Sequence, residues 1–122
     1  KMRIALPTMG EKGLEEKIGA HFGRCPTFTI YDLEDDQIEI ISNNSKHKGG
    51  KGNPPELLAE KNIDCMICKN LGRKAVSLFE DLGIEVYDGA EGTVKEAIES
   101  WKDDDLKETS ISDACDEGHR YP

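Results

Sequence analysis

Two short apolar runs, Ile63-Asp64-Cys65-Met66-Ile67-Cys68 and Ile84-Glu85-Val86-Tyr87, are each followed by a stretch of helical periodicity, residues 72–82 and 94–102. No other feature constrains the fold as much. Strands separated by helices pair in parallel through right-handed crossovers, and the helices then cover the sheet. Local chemistry agrees with this reading. Gly83 stops the first of these helices, and Thr93 with Glu96 forms a capping box at the start of the second. In the first half, Arg3-Ile4-Ala5-Leu6-Pro7-Thr8 reads as a buried strand that closes into a loop at its proline. Thr27-Phe28-Thr29-Ile30-Tyr31-Asp32 and Gln37-Ile38-Glu39-Ile40-Ile41 alternate polar and apolar residues on either side of the acidic turn Glu34-Asp35-Asp36, the pattern of an antiparallel hairpin. Pro55 opens a helix over residues 55–62 that carries Leu57, Leu58 and Ala59. The expected fold class is α/β, a single domain with a mixed five-stranded sheet and the order β-β-β-α-β-α-β-α. Periodicity fades beyond residue 106, so residues 1–106 are expected to form the domain and residues 107–122 an acidic, flexible tail.

Charge narrows the function. The chain of 122 residues has a formal net charge of −9, which argues against a general nucleic-acid binder. The charge is also uneven: residues 80–122 hold 14 acids and 4 bases, whereas residues 1–79 hold 11 acids and 12 bases. A basic surface is therefore open to the first two thirds of the chain. No apolar run approaches the roughly 18 residues of a membrane span, and Met2-Arg3-Ile4-Ala5-Leu6-Pro7 lacks the shape of a signal peptide. A cytoplasmic location, with no membrane partner, is expected, and the four cysteines read as reduced thiols.

The candidate site starts at His21-Phe22-Gly23-Arg24-Cys25-Pro26, which sets an imidazole, a guanidinium and a thiol within five residues. His and Cys bind soft or borderline metals, and Arg grips delocalised anions. In the expected sheet, the loops that carry this block, residues 43–53, 68–74 and 89–93 fall on one edge, beyond the carboxyl ends of the parallel strands, where open α/β sheets bind ligands. Cys65 and Cys68 have the Cys-x-x-Cys spacing, but on a strand residues three apart point to opposite faces. Cys65 reads as a core residue and Cys68, at the strand's end, as the thiol that faces a ligand. Lys69, Arg73 and Lys74 flank the next helix start, where backbone N–H groups and the dipole favour an anion. Lys46, Lys48 and Lys51 fall on the same edge, with His47 a weak candidate among them. Cys115 and His119, four apart, have a spacing that chelates a soft metal if the tail folds over.

These blocks resemble a known family. Met2-Arg3-Ile4-Ala5-Leu6-Pro7-Thr8, His21-Phe22-Gly23-Arg24-Cys25-Pro26, Leu57-Leu58-Ala59-Glu60-Lys61, Leu71-Gly72-Arg73-Lys74-Ala75 and Gly89-Ala90-Glu91-Gly92-Thr93-Val94 are similar to the dinitrogenase iron–molybdenum cofactor-binding family. That family includes NifX, NafY and the carboxyl-terminal domain of NifB. The resemblance implies a ribonuclease-H-like sheet and the binding of an anionic iron–sulfur, iron–molybdenum–sulfur or molybdenum–copper–sulfur cluster. His21 and Arg24 match its motif positions, whereas Cys25 stands where the family often has a small residue and Lys69-Asn70 replaces a pair that is often glycine-rich.

The expected function is non-catalytic: binding, carriage or sensing of a metal–sulfur cluster, with cluster-assembly or acceptor proteins as partners. Cofactor contacts are assigned to His21, Arg24, Cys25, Cys68, Lys69, Arg73 and Lys74, and metal ligation to His21, Cys25, Cys68, Cys115 and His119. The block alone holds too few ligands to close a mononuclear shell, so a preassembled anionic cluster suits it better. The competing reading is a protein-interaction module of the same fold without a cofactor. A two-metal nuclease is disfavoured, because the central strands offer no carboxylates and Asp32 and Asp64 are expected at the opposite edge.

Overall fold

Along the chain run β1 (Arg3–Thr8), β2 (Thr27–Asp32), β3 (Gln37–Ser42), α1 (Pro54–Glu60), β4 (Cys65–Ile67), α2 (Arg73–Asp81), β5 (Glu85–Asp88), α3 (Val94–Lys102) and β6 (Lys107–Thr109). The structure is a computed structural model and describes residues 2–20, 22–43 and 54–109. Ile4 to Thr8 are all buried. A strand buried on both faces has no water for its backbone and must pair along both edges. β1 does so, antiparallel to β2 from Arg3↔Asp32 to Thr8↔Thr27 and parallel to β4 at Ile4↔Cys65 and Ala5↔Met66. β3 continues the hairpin on one side, and β5 adds in parallel to β4 on the other.

The sheet has six strands, in the order β3-β2-β1-β4-β5-β6. This corrects the expected five-stranded sheet. The sixth strand, Lys107–Thr109, pairs antiparallel with β5 from Asp88↔Lys107 to Val86↔Thr109, so three residues assigned from sequence to the tail belong to the sheet. Its sequence, Lys-Glu-Thr, carries no apolar alternation, and backbone pairing alone defines it. Residues 110–122 lie outside the described residues.

Alternation in the strands makes two cores. Ala5, Phe28, Ile30, Met66, Cys68 and Val86 face α1 and α2, meeting Leu58 and Phe79. Ile4, Leu6, Tyr31, Cys65 and Ile67 face α3, meeting Val94, Ala97 and Ile98. Cys65 and Cys68 therefore lie on opposite faces, as their spacing on a strand requires.

Helix ends follow the local sequence. α2 closes in a Schellman motif: Ile84 N–H donates to Phe79 O at 2.9 Å and Gly83 N–H to Glu80 O at 3.0 Å. Gly83 takes φ +77°, the left-handed conformation that residues with a Cβ avoid. α1 stops at Glu60, short of the expected residue 62, because Asn62 turns to φ +61°. α3 begins as expected, with Glu96 N–H donating to Thr93 Oγ1 at 3.2 Å and Thr93 N–H to Glu96 Oε1 at 2.9 Å.

Two outcomes are expected. Thr93→Ala removes both the cap acceptor and the box, and should cost about 1 kcal/mol, read as a lower urea midpoint at unchanged slope. Burial pushes the Cys65 and Cys68 thiols up to about 12, helped by the carboxylates of Glu85 and Asp88 respectively. A raised thiol contributes its full stability below the unfolded value of 9.0 and loses it as pH climbs towards about 12. Stability should thus fall above that lower limit by up to about 1.4 kcal/mol per pH unit for each thiol. An alkaline limb of equal slope in a Cys65→Ala, Cys68→Ala variant would refute this assignment.

Candidate functional site

The carboxyl ends of β1, β4 and β5, the start of β2 and the end of β3 share one edge, as the register pairs Thr8↔Thr27 and Thr27↔Ser42 show. Three buried threonines secure its corner. Thr8 Oγ1 lies 2.6 Å from Thr27 Oγ1 and 3.0 Å from Thr29 Oγ1, and Thr27 Oγ1 donates to Gly10 O at 2.6 Å. One donor direction, from Thr29 to Thr8 to Thr27 to the Gly10 carbonyl, satisfies all three hydroxyls.

From Gly10 the chain enters a loop with little apolar content, held instead by hydrogen bonds. The buried Glu16 carboxylate accepts Lys12 N–H at 3.2 Å and Lys17 N–H at 3.0 Å. Met9 N–H donates to Lys17 O, and Gly19 N–H to Pro7 O. Ile18 N–H reaches Gly92 O at 2.9 Å, and Val94 N–H reaches Glu16 O at 2.8 Å, so this loop and the start of α3 are stitched together. Phe22–Arg24 then form a short 3-10 turn. Phe22 drives its ring into the core, 5.2 Å from Phe28 and 5.4 Å from Phe79 between centroids. That anchor fixes the turn while Arg24 stays exposed. Downstream, Asn43 closes the edge, its Nδ2 donating to Cys25 O at 2.8 Å and its N–H to Pro26 O at 2.9 Å.

Arg24 is brought to the start of α2. With Ala20, Phe22, Asn70, Leu71, Gly72 and Ala75 it lines a concavity of about 290 Å³. Gly72 is the N-cap of α2, in extended conformation and with no side-chain cap. The helix therefore opens on backbone N–H groups that its own sequence leaves to an outside acceptor. Its first two residues, Arg73 and Lys74, are exposed, as is Lys69 in the preceding turn. The ion pairs among the described residues sit elsewhere, at the opposite edge. There Arg3 meets Asp32 at 3.8 Å and Glu39 at 3.4 Å, and Lys61 meets Glu39 at 2.7 Å. Asp64 is at that far edge too, accepting Arg3 N–H at 2.8 Å.

Of the thiols, Cys65 lies in the core as expected, and Cys68 does not take the place expected of it. Cys25 is buried at the edge, bordering with Met9, Ala20 and Arg24 a second concavity of about 210 Å³. Cys68, expected to face a ligand, is buried in the core against α2, its Sγ 3.6 Å from Tyr87 O. The strand ends one residue earlier than the apolar run, and the alternation that sends Cys65 to one core sends Cys68 into the other. Its backbone still serves the edge: Cys68 O accepts Ala90 N–H at 3.2 Å, and Lys69 O accepts Gly89 N–H at 3.1 Å, joining the turns after β4 and β5. His21, residues 44–53, Cys115 and His119 lie outside the described residues. Among those described, no three His, Cys, Asp or Glu side chains converge to hold a metal ion. Sequence reasoning passed over Met9, Ala20 and Asn70 as lining residues. Only Gly72, an uncapped glycine ahead of two bases, carried a signal that pattern alone could have used.

With this geometry in place, comparison with other proteins is informative. A family model described as dinitrogenase iron-molybdenum cofactor matches residues 2–104. An uncharacterized protein of Methanocaldococcus jannaschii is 34% identical over 102 residues, covering 80% of this chain and 82% of its own. The NMR structure of a candidate NifB protein from Thermotoga superposes with a TM-score of 0.75 at 31% identity, over 88% of this chain and 93% of that one. The apo form of the orange protein from Desulfovibrio gigas gives 0.79 at 26% identity, over 89% and 94%. The chain belongs to the dinitrogenase iron–molybdenum cofactor family.

Proposed function

We propose that the protein binds an anionic metal–sulfur cluster as cargo at the edge beyond β1, β4 and β5, and performs no reaction on it. The observation that carries this reading is the concavity that joins Arg24 to the uncapped start of α2. Backbone N–H groups, the helix dipole and the cations of Lys69, Arg73 and Lys74 act there in the same sense, on a protein whose net charge is −9. A cluster of iron–sulfur, iron–molybdenum–sulfur or molybdenum–copper–sulfur type presents sulfides and spread negative charge, the counterpart of guanidinium and amide donors.

In this reading His21, next to Ala20 of the concavity, and Cys25 supply direct ligation, and Cys115 with His119 add to it from the tail. Cys68, buried behind the turn, holds that turn in place. Arg24, Lys69, Arg73 and Lys74 neutralise the cargo. Exposed cations act through a screened field, so retention should weaken as salt rises. A carrier or sensor of this kind works in the cytoplasm and exchanges cargo with cluster-assembly or acceptor proteins. The family membership and the structural likeness to a candidate NifB protein support that setting.

Tetrathiomolybdate, alone and with iron and sulfide, is the direct probe, added without air and followed by metal analysis after gel filtration. Wild type should retain metal, and an Arg24→Ala, Arg73→Ala variant should bind about tenfold more weakly or less for the two lost charge-assisted contacts. His21→Ala should change the visible spectrum of what is retained. Equal retention by wild type and the double arginine variant, or none by wild type, overturns the reading.

A further inference from the structure

Met9 is 55% exposed, the most exposed large apolar side chain among the described residues, although its loop is tied down on both sides. Its sulfur has a neighbour of the same kind. Met9 Sδ and Cys25 Sγ lie 3.1 Å and 2.1 Å from the point where a Cβ on Gly19 would stand. Both sulfurs thus crowd against Gly19, where a side chain has no room, and both residues border one concavity. Cys25 is 4% exposed, so the concavity of about 210 Å³ that both residues border opens to solvent on the Met9 side.

We propose that Met9 and Cys25 form a binding site for a single Cu(I) ion, adjoining the cationic concavity and drawing on Cys25, a ligand in the cluster reading as well. Thioether and thiolate are soft donors, the pair that selects Cu(I) among the available metals. As a closed-shell ion, Cu(I) accepts two ligands, whereas Zn(II) asks for about four. On binding, copper–sulfur bonds form to Met9 Sδ and Cys25 Sγ, the Cys25 S–H bond breaks, and its proton leaves to solvent. Copper enters and stays as Cu(I), so no electron moves. Thiolate and Cu(I) together are neutral, which avoids the cost of burying a bare charge. The place for the ion is the concavity itself, not the Cβ position of Gly19, which Cys25 Sγ already crowds. Arg24, shared by both concavities, separates this cation site from the anion site. Cys25 is shared with the cluster reading, whereas Met9 and Gly19 belong to the copper site alone, so variants at those two positions separate the two readings.

The test uses the full chain, reduced and without air, carrying Cys115→Ser to silence the tail thiol, with Cu(I) titrated against a chromogenic Cu(I) chelator. One Cu(I) per chain is expected. Met9→Leu should weaken binding by about tenfold or more, Cys25→Ser by still more, and Gly19→Ala, which keeps both sulfurs but forces Cys25 Sγ from its place, about as much as Met9→Leu. Tetrathiomolybdate retention should be unchanged in Met9→Leu. If Gly19→Ala does not fold, copper-edge X-ray absorption on selenomethionine-labelled protein decides: a selenium neighbour should be present and vanish in Met9→Leu. Undiminished Cu(I) affinity in Met9→Leu, or no selenium neighbour, overturns the proposal. Protein that retains tetrathiomolybdate but not Cu(I) sinks this inference alone.

Discussion

The arrangement depends on the burial of β1 along both faces and both edges. A strand with Ile4, Ala5 and Leu6 wholly inaccessible must hand every backbone group to a neighbour. The neighbours it finds have opposite senses: β2 returns by a hairpin-like path, and β4 arrives after a helix. This mixture puts the start of β2 and the ends of β1 and β4 at one end of the sheet. The block from Phe22 to Cys25 and the start of α2 are far apart in sequence, and the burial of one strand brings them into a common wall.

Electrostatics divides the molecule along the same axis. At the end where β1 begins, Arg3 and Lys61 are matched with Asp32 and Glu39, and the carboxyl of Glu39 is held below its usual range, first by the hydrogen bond from Lys61. At the end where β1 finishes, Arg24, Lys69, Arg73 and Lys74 are exposed around a helix start without a cap. An acidic protein thereby keeps a cationic end. Net charge read from composition would have hidden it, whereas the position of each base relative to strand ends reveals it.

Much of this was legible before any coordinates. β2 matches the expected boundaries residue for residue, because the acidic turn punctuates the chain clearly, and β1 runs one residue past the proline at which it was expected to close. The capping box at Thr93 and the stop at Gly83 each follow from a single local mechanism, and the order of strands and helices foretold that the described loops after β1, β4 and β5 share an edge. What escaped reading was decided by tertiary context. β6 is a strand only because β5 offers it an edge, and Cys68 is a core residue because the alternation of β4 carries it to the face that α2 covers. Met9 and Gly19 had no pattern to betray them. Their relation comes from a fold that returns Gly19 N–H to Pro7 O, a hydrogen bond with no periodic signature.

β6 also gives the molecule a direction. Lys107 pairs with Asp88 beside the binding end, and Thr109 pairs with Val86, so the strand carries the chain away from that end. Three residues of strand travel about 10 Å, close to one Debye length in physiological salt. Thr109 is thereby level with Ala5, through Val86 and Met66, on a path that leads away from the cations around Arg24. The backbone from Lys107 to Thr109 thus runs down the flank of the sheet opposite β3, with its first residue nearest the concavity end and its last the furthest from it.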